Sequence, residues 1–221
     1  MIHIQKQSPP KKFVEFVQQN KNVHFDDMPS DVKRILRDSL VKEQGYLCAY
    51  CMSRIEIDEK NTKIEHYVPR NNENELDYEN LLAVCKGNLA GNDEKHQHCD
   101  TKKGNKTLEI DPKNKYHISQ ISYKPNGTIY SRNEKINYDL NVTLNLNDDE
   151  GYLKNNRKEA LIALLKKIKQ IKDKVKNKNA ILEYLKKTLN FYTNFDGNGY
   201  KQKYCGIIIE FLEKKLNEWE K

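Results

Sequence analysis

The clearest hydrophobic pattern of the chain lies in its C-terminal third. Apolar residues recur there at steps of three and four, which is the spacing of one face of an α-helix. This stripe consists of Leu161, Leu164, Leu165, Ile168, Ile171 and Val175. Two more helices are indicated by Ile181, Leu185, Leu189 and Tyr192 and, after a break at residues 196–199, by Ile208, Leu212, Leu216 and Trp219. We expect the three helices to pack on one another and on the rest of the protein, with a dedicated docking device as the alternative.

The N-terminal region contains one further helix signal. Ser30 is suited to cap a helix, and Gly45 is suited to end it. The apolar face between them consists of Val32, Ile35, Leu36 and Leu40. The first ten residues carry Pro9-Pro10 among basic residues, so we predict an extended arm that either reaches a partner or the substrate or is simply mobile.

The middle of the chain alternates between strand and turn signals. A segment of alternating polar and apolar side chains ends at a proline and predicts a short strand, with Glu65 and His66 at its end. Asn80 opens an apolar run, which predicts a second strand beside the first. Residues 99–104 predict a short helix with Asp100 near its start. Strand, strand and helix together form a ββα unit.

A second pair of strands is predicted further along. Residues 121–125 and 128–130 are rich in β-formers and flank Asn126-Gly127, a strong signal for a tight hairpin turn. Such a hairpin is marginal alone and must pack on something. The chain is thus predicted to be an α+β protein with four regions: an N-terminal arm and helix in 1–45, the ββα core in 46–112, a β-hairpin extension in 113–150 and a basic helical region in 151–221.

Four of the five cysteines surround the ββα unit in the pattern of a zinc site. Cys48 and Cys51 are separated by two residues, so both sulfurs can bind one tetrahedral ion. Cys85 and Cys99 complete a set of four sulfur ligands. A structural ion with four protein ligands has no open position, so we expect this zinc to hold the fold and not to catalyse a reaction.

The second half of this zinc site leaves alternatives open. Residues 86–98 separate Cys85 from Cys99, which is longer than the spacing in many zinc modules. His96 and His98 are therefore competing ligands. Cys85 could also be a small buried apolar residue with no role in metal binding.

The composition favours a polyanionic partner. The 221 residues include 39 Lys and Arg against 32 Asp and Glu, a net charge of +7. The charge is uneven, because residues 151–180 hold ten basic residues and only two acidic ones. We predict that this basic face binds nucleic acid, with Lys166, Lys167 and Lys169 among the contacts. The basic residues of the segment are those at positions 154, 157, 158, 166, 167, 169, 172, 174, 176 and 178.

The sequence also predicts a compartment. The first 20 residues lack a continuous apolar stretch, so we expect no signal peptide, and no run approaches the length that spans a membrane. Cysteines gathered as metal ligands are typical of a reducing environment, which predicts a cytoplasmic location. Cys205 is expected to be a lone packed thiol.

Several strings of this sequence resemble the HNH endonuclease family, whose ββα-metal core carries an acid-histidine pair, a downstream asparagine and a final His or Asn beside zinc knuckles. The strings CAYC, IEHYVPR, YENLLAVC, GN and HCDTKKGN are similar to one branch, the PtuB-like nuclease subunit of Septu anti-phage defence systems, also found beside some retrons. This sequence departs from the family at Asp100, where the motif ends in His or Asn. The resemblance covers about residues 1–165, is strongest over 46–112, and includes 108–112, 144–147, Leu153 and Arg157.

The resemblance implies a zinc-clamped HNH core that hydrolyses phosphodiester bonds. His66 would be the general base, since the pKa of an imidazole lies near neutrality. Glu65 and Asp100 would hold one catalytic Mg²⁺ or Mn²⁺, for which carboxylate oxygens are suited. Asn80 would orient the imidazole or the loop around it, although asparagine at the start of a strand commonly just satisfies a turn.

The resemblance also implies partners. The substrate would be nucleic acid, with DNA favoured over RNA, and an ABC or SMC-like ATPase subunit would restrain or aim the nuclease. Lys102 and Lys103 are expected to contact backbone phosphates, with an ordinary solvated face as the alternative. The alternative function is a zinc-stabilised nucleic-acid-binding module without catalytic activity. Such a module would not need Glu65, His66 and Asp100 to converge.

Overall fold

The computed structural model describes residues 1–88 and 93–219 of the chain. Helices and short antiparallel strand pairs alternate along it, which confirms the predicted α+β class. The helices are α1 (Lys11–Gln19), α2 (Ser30–Glu43), α3 (Cys99–Lys103), α4 (Lys115–Ser119), α5 (Glu134–Tyr138), α6 (Tyr152–Lys174), α7 (Lys178–Thr193) and α8 (Cys205–Trp219). The strands are β1 (Thr62–His66), β2 (Leu81–Cys85), β3 (Ile121–Tyr123) and β4 (Ile129–Ser131).

The predicted ββα unit forms around β2, whose first four residues are buried. β2 pairs antiparallel with β1, which places Leu82 opposite Glu65 and Leu81 opposite His66. The side chains of residues 81–84 are completely buried between α2 and α3, and Leu81, Leu82 and Val84 each contribute about 1.5–3 kcal/mol of hydrophobic stabilisation. The buried strand therefore fixes the position of β1 and of the acid-histidine pair at its end.

The N-terminal arm is packed against the protein. Met1 and Ile4 are only 2% and 5% exposed, and the Ile4 N–H donates to the Pro112 carbonyl at 2.8 Å. Helix α1 follows directly and buries Phe13. The segment before α1 has no helix or strand, as expected of an extended arm, but it is not free, because its few apolar side chains pack against residues that are distant in sequence.

The start of α2 also differs from the prediction. The helix begins at Ser30, and Pro29 occupies the cap position without a side-chain hydrogen bond to the first turn. Ser30 is therefore the first helical residue and not the cap. Asp31 lies in the first turn, where its carboxylate is stabilised by the positive end of the helix dipole. The end of the helix agrees with the prediction, since Gly45 follows it with a φ of 64°.

The predicted hairpin forms, and the Lys124 N–H donates to the Thr128 carbonyl at 2.9 Å, which leaves residues 125–127 as its loop. β3 pairs antiparallel with β4, and the Gly127 N–H donates to the Lys124 carbonyl at 2.9 Å. The turn therefore centres on Pro125 and Asn126. Gly127 closes it with a φ of 87°, in the left-handed region that glycine tolerates.

A buried guanidinium fastens this hairpin to α6. Arg157 is 1% exposed. Its Nε donates to the Gly127 carbonyl at 2.6 Å, and its Nη2 donates to the Leu146 carbonyl at 2.7 Å and to Asn147 Oδ1 at 2.9 Å. The assignment of Arg157 to the exposed basic face is therefore wrong, because its donors are used by acceptors inside the protein.

Replacing Gly127 with alanine is expected to lower the free energy of unfolding by about 2–5 kcal/mol, since left-handed strain and overpacking add. A Cβ at this position would lie 2.0 Å from the Lys154 carbonyl oxygen. Urea unfolding measures the loss. Gly199→Ala is the matched control, because Gly199 has a similar φ of 81° and no neighbouring atom lies within 4 Å of the added carbon. Equal destabilisation of both variants would contradict the role given to the close approach.

The three C-terminal helices pack as predicted. α8 contacts α7, α6 and β3, and a single cluster of buried residues extends from Met1 to Leu216. Leu161, Leu164 and Ile168 of α6 are buried, whereas Leu165 is 39% exposed, so the apolar stripe is narrower than predicted. The side chains of Lys166, Lys167 and Lys169 are exposed. Within the described ranges, no helix combines the length and apolar character that crossing a bilayer requires.

Candidate active site and cysteine cluster

The four cysteines predicted as zinc ligands meet at one point. The sulfur atoms of Cys48, Cys51, Cys85 and Cys99 all lie within 4.8 Å of one another. The Cys48 and Cys99 sulfurs are 3.9 Å apart, and the Cys51 and Cys85 sulfurs are 3.7 Å apart. Four sulfurs bound at about 2.3 Å to one tetrahedral ion are about 3.8 Å apart. The cluster is therefore positioned to hold a metal ion, and its geometry is consistent with zinc.

Local backbone geometry brings these sulfurs together. Met52 has a φ of 62°, and its N–H donates to the Cys48 carbonyl at 3.1 Å, which folds the first cysteine pair into a tight turn. Gly87 has a φ of 58°, and its carbonyl accepts from the His98 N–H at 3.0 Å. This contact closes the long segment between the last two cluster cysteines. His98 therefore lies beside Gly87, which brings Cys99 close to Cys85 in spite of the wide spacing in sequence.

The two competing histidines lie differently with respect to the cluster. His96 Nδ1 is 2.6 Å from Asp148 Oδ2, so its ring is held by an acidic side chain. His98 Nδ1 lies 3.1 Å from the Cys99 sulfur, and its Nε2 is 2.9 Å from the Tyr152 hydroxyl. Within the part of the chain that the structure describes, the gathered set of metal-ligating atoms consists of four sulfurs. The arrangement favours a four-cysteine site over a mixed one.

Glu65 and Asp100 lie together in a cleft of about 580 Å³ that His66 also lines. Glu65 is 5% exposed, and Asp100 lies in the first turn of α3. Burial, followed by the hydrogen bond to Asp100, raises the pKa of Glu65 to about 8. Burial also opposes charge on Asp100, but hydrogen bonds from Glu65 and Lys63 hold the pKa of its carboxyl below the usual value. The proximity of the two carboxyls therefore favours a proton or a cation between them.

Two lysines accompany this carboxyl pair. Lys103 Nζ lies 2.8 Å from Glu65 Oε1, with side chains that are 1% and 5% exposed. Lys63 Nζ lies 2.8 Å from Asp100 Oδ2. Lys103 is thus inside the cleft and not on the open surface, where a contact to backbone phosphates was predicted. Lys102 is partly exposed beside it.

His66 is held as a neutral ring. Its Nε2 is 3.0 Å from the Glu75 carbonyl, which can only accept, so Nε2 carries the proton and Nδ1 keeps its lone pair. Burial lowers the pKa of His66, and the nearby charges of Arg70 and Lys103 act in the same direction. The edge of Phe25 packs against the ring at 4.7 Å between centroids. A neutral imidazole with a lone pair can accept a proton from water.

Asn80 fixes the loop that orients His66. Its Oδ1 accepts from the Val68 N–H at 2.8 Å, and its Nδ2 donates to the Val68 carbonyl at 3.0 Å and to the Asn74 carbonyl at 3.3 Å. The next residue along that loop is Glu75, whose carbonyl accepts from His66. Asn80 therefore acts on the loop around the imidazole, through Val68 and Asn74.

Sequence reasoning missed two side chains of this site. Lys63 precedes Glu65 by two residues on β1 and so shares its face, which was an available signal. Tyr50 lies between the two cysteines of the knuckle, and its hydroxyl donates to Glu65 Oε1 at 3.0 Å. That contact joins segments 15 residues apart, so no local pattern reveals it.

The chain is similar to known proteins. The sequence model of the HNH endonuclease family matches residues 48–87, which include the acid-histidine pair. The chain is 31% identical over 159 residues to "Retron Vc95 putative HNH endonuclease" of Vibrio cholerae serotype O1 biovar El Tor, covering 66% of this chain and 75% of that relative. It is 32% identical over 100 residues to "Retron Ec83 putative HNH endonuclease" of Escherichia coli, covering 39% of this chain and 38% of that relative. With a ββα unit, an acid-histidine pair and a four-cysteine cluster in place, the chain belongs to the HNH endonuclease family.

Proposed function

We propose that the protein is a divalent-metal-dependent endonuclease that hydrolyses DNA as the effector nuclease of an anti-phage defence complex. The contact between Glu65 and Asp100, beside His66 in one cleft, carries this proposal. Two carboxylates in one cleft repel each other unless a proton or a cation lies beside them, and here Glu65 is buried and Asp100 is partly buried. A cation at this point would be next to a neutral base, which is the arrangement that hydrolysis of a phosphodiester requires.

His66 is the general base of the proposed reaction. Because Nε2 donates to the Glu75 carbonyl, Nδ1 is the atom that takes the proton from the attacking water. Asn80 keeps the loop of Glu75 in place and so holds the ring orientation through the reaction. The lowered pKa of His66 keeps the ring unprotonated before the water is bound.

Glu65 and Asp100 are the proposed ligands of the catalytic ion, Mg²⁺ or Mn²⁺. When bound, such an ion neutralises the charge on the scissile phosphate and stabilises the departing oxygen. Both side chains are hard oxygen donors, and the replacement of the usual His or Asn by Asp100 keeps that chemistry. Lys63 and Lys103 add positive charge along the same cleft, where a phosphate would enter.

The proposed biological setting rests on the relatives and on the Septu-like strings. Both relatives have retron and HNH endonuclease in their names. We take residues 46–112 as the catalytic unit and the remaining regions as surfaces that an ABC or SMC-like ATPase subunit and the substrate share in the cytoplasm. DNA is the proposed substrate because the HNH resemblance favours it. RNA is included as an alternative substrate in the experiment below.

The test is incubation of the purified protein, alone and with the protein encoded beside it, with duplex DNA, single-stranded DNA and structured RNA. Mg²⁺ or Mn²⁺ is added in parallel reactions. We expect scission of DNA that requires the added ion and that Glu65→Gln abolishes. Binding without scission under every condition would support the nucleic-acid-binding module in place of the nuclease.

Replacing Lys166, Lys167 and Lys169 with alanine is expected to weaken DNA binding and to flatten its salt dependence. Each phosphate contact that is lost reduces the slope of log K against log[salt] by about 0.9 for duplex DNA, so the slope falls by up to about 2.7. Binding titrations at several salt concentrations measure it. The matched control replaces three other exposed lysines with alanine and so removes the same charge. An equal effect in the control would mean that net charge, and not this face of α6, determines binding. The control positions are Lys11, Lys21 and Lys60.

A further inference from the structure

A tyrosine hydroxyl connects the cysteine cluster to the proposed catalytic ion site. Tyr50 is fully buried, and its hydroxyl donates to Glu65 Oε1 at 3.0 Å. The residue lies in the two-residue gap between Cys48 and Cys51, both of which contribute sulfurs to the cluster. Its side chain therefore extends from the metal-binding turn to the carboxylate at the end of β1.

The backbone on both sides of Tyr50 is restrained. Cys48 and Cys51 flank it, so an ion bound by their sulfurs would hold the turn at two points. The N–H of the preceding residue, Ala49, donates to the Ala83 carbonyl of β2 at 3.1 Å. The hydroxyl of Tyr50 is consequently aimed from a rigid base, which is what an oriented ligand requires.

The carboxylate that receives this hydroxyl is held at one oxygen. Oε1 of Glu65 accepts from the Tyr50 hydroxyl at 3.0 Å and contacts Lys103 Nζ at 2.8 Å. Two donors on one oxygen fix the plane of the carboxylate, and the side chain has little freedom because it is 5% exposed.

We propose that Tyr50 is a positioning residue for the catalytic ion: its hydroxyl holds Glu65 in the orientation that binds a divalent cation and couples that carboxylate to the cysteine cluster. The inference rests on the proposed function, in which Glu65 is a ligand of the ion. Partners that orient a metal ligand typically change metal affinity by about 10- to 100-fold when they are removed.

The test is Mn²⁺ binding to the purified full chain, measured by electron paramagnetic resonance without substrate. Tyr50→Phe is expected to weaken Mn²⁺ binding by about 10- to 100-fold, while zinc content stays equal to that of the wild type. Tyr78→Phe is the matched control, because it removes a hydrogen bond of the same 3.0 Å length from a tyrosine hydroxyl to another glutamate, Glu43. The control is expected to bind Mn²⁺ like the wild type.

Glu65→Gln separates the two ideas. If this variant binds Mn²⁺ as the wild type does, Glu65 is not a ligand and the proposed function fails. If Glu65→Gln loses Mn²⁺ while Tyr50→Phe binds normally, only the positioning role is overturned. The double variant gives a second measurement, since Tyr50→Phe should add no further loss when Glu65 is already replaced; a further loss would mean that Tyr50 acts by another route.

Discussion

His66→Ala is expected to lower the cleavage rate by about 10²- to 10⁴-fold, while zinc content and the unfolding midpoint remain close to those of the wild type. The ring is half-buried and bonded to one backbone carbonyl, Glu75, so its removal takes away a proton acceptor and little of the core. Single-turnover cleavage assays measure the rate, and metal analysis measures the zinc.

His3→Ala is the matched control for this variant. His3 Nε2 also pairs with a backbone carbonyl, that of Lys113, at 2.9 Å. The residue does not line the cleft of Glu65 and Asp100. Full-rate cutting by His66→Ala would contradict the assignment of the base. An equal loss in both variants would trace the effect to a hydrogen bond and not to catalysis.

Cys51→Ser is expected to lose zinc and stability together. Structural zinc contributes on the order of 10 kcal/mol to small zinc-binding domains, and each kcal/mol corresponds to about 2–4 °C in a chain of this length. Loss of several kcal/mol therefore predicts a fall of the melting temperature by more than about 10 °C. Cys51 is fully buried in the cluster. Serine at this position places a hydroxyl beside the three remaining sulfurs, so the ion loses one of its four thiolate ligands.

The control for the cluster is Cys205→Ser. Cys205 is also completely buried, but it lies in α8 and outside the sulfur cluster. A hydroxyl at this site costs about 1–3 kcal/mol, and zinc content is expected to stay at the wild-type level. A Cys51→Ser protein that remains folded with unchanged zinc content would contradict the stabilising role of the four-cysteine site, regardless of the result for Cys205→Ser.

Much of the ββα unit is predictable because its signals are local. Strand alternation, the buried run after Asn80 and the short helix at Asp100 each depend on neighbouring residues, and β1, β2 and α3 appear where those patterns predict them. The two-residue spacing of Cys48 and Cys51 likewise needs only the reach of a thiolate. The two-residue period of a strand and the 3.6-residue period of a helix are sufficient to predict this part of the fold.

The errors occur where distant segments decide the environment of a residue. Arg157 and Lys103 both appear as surface charges in the sequence, yet both are buried against acceptors that other elements supply. The N-terminal segment has too few apolar residues to show a periodic hydrophobic pattern, but the side chains of Met1 and Ile4 are buried in the core. Burial of a polar group is favourable only with its partners present, so no local rule identifies these positions.

The direct succession of Cys99 and Asp100, together with Tyr50 inside the cysteine knuckle, has a practical consequence for inhibition studies. An EDTA-type chelator that strips a sulfur-bound ion would disturb Glu65 and Asp100, the proposed ligands of the catalytic ion, and would also remove the ion proposed to bind there. Loss of cleavage after such treatment would thus have two possible causes, removal of the sulfur-bound ion and removal of the proposed catalytic ion. Cleavage that returns with magnesium alone would indicate loss of the proposed catalytic ion. Cleavage that returns only after zinc is supplied first would indicate loss of the sulfur-bound ion.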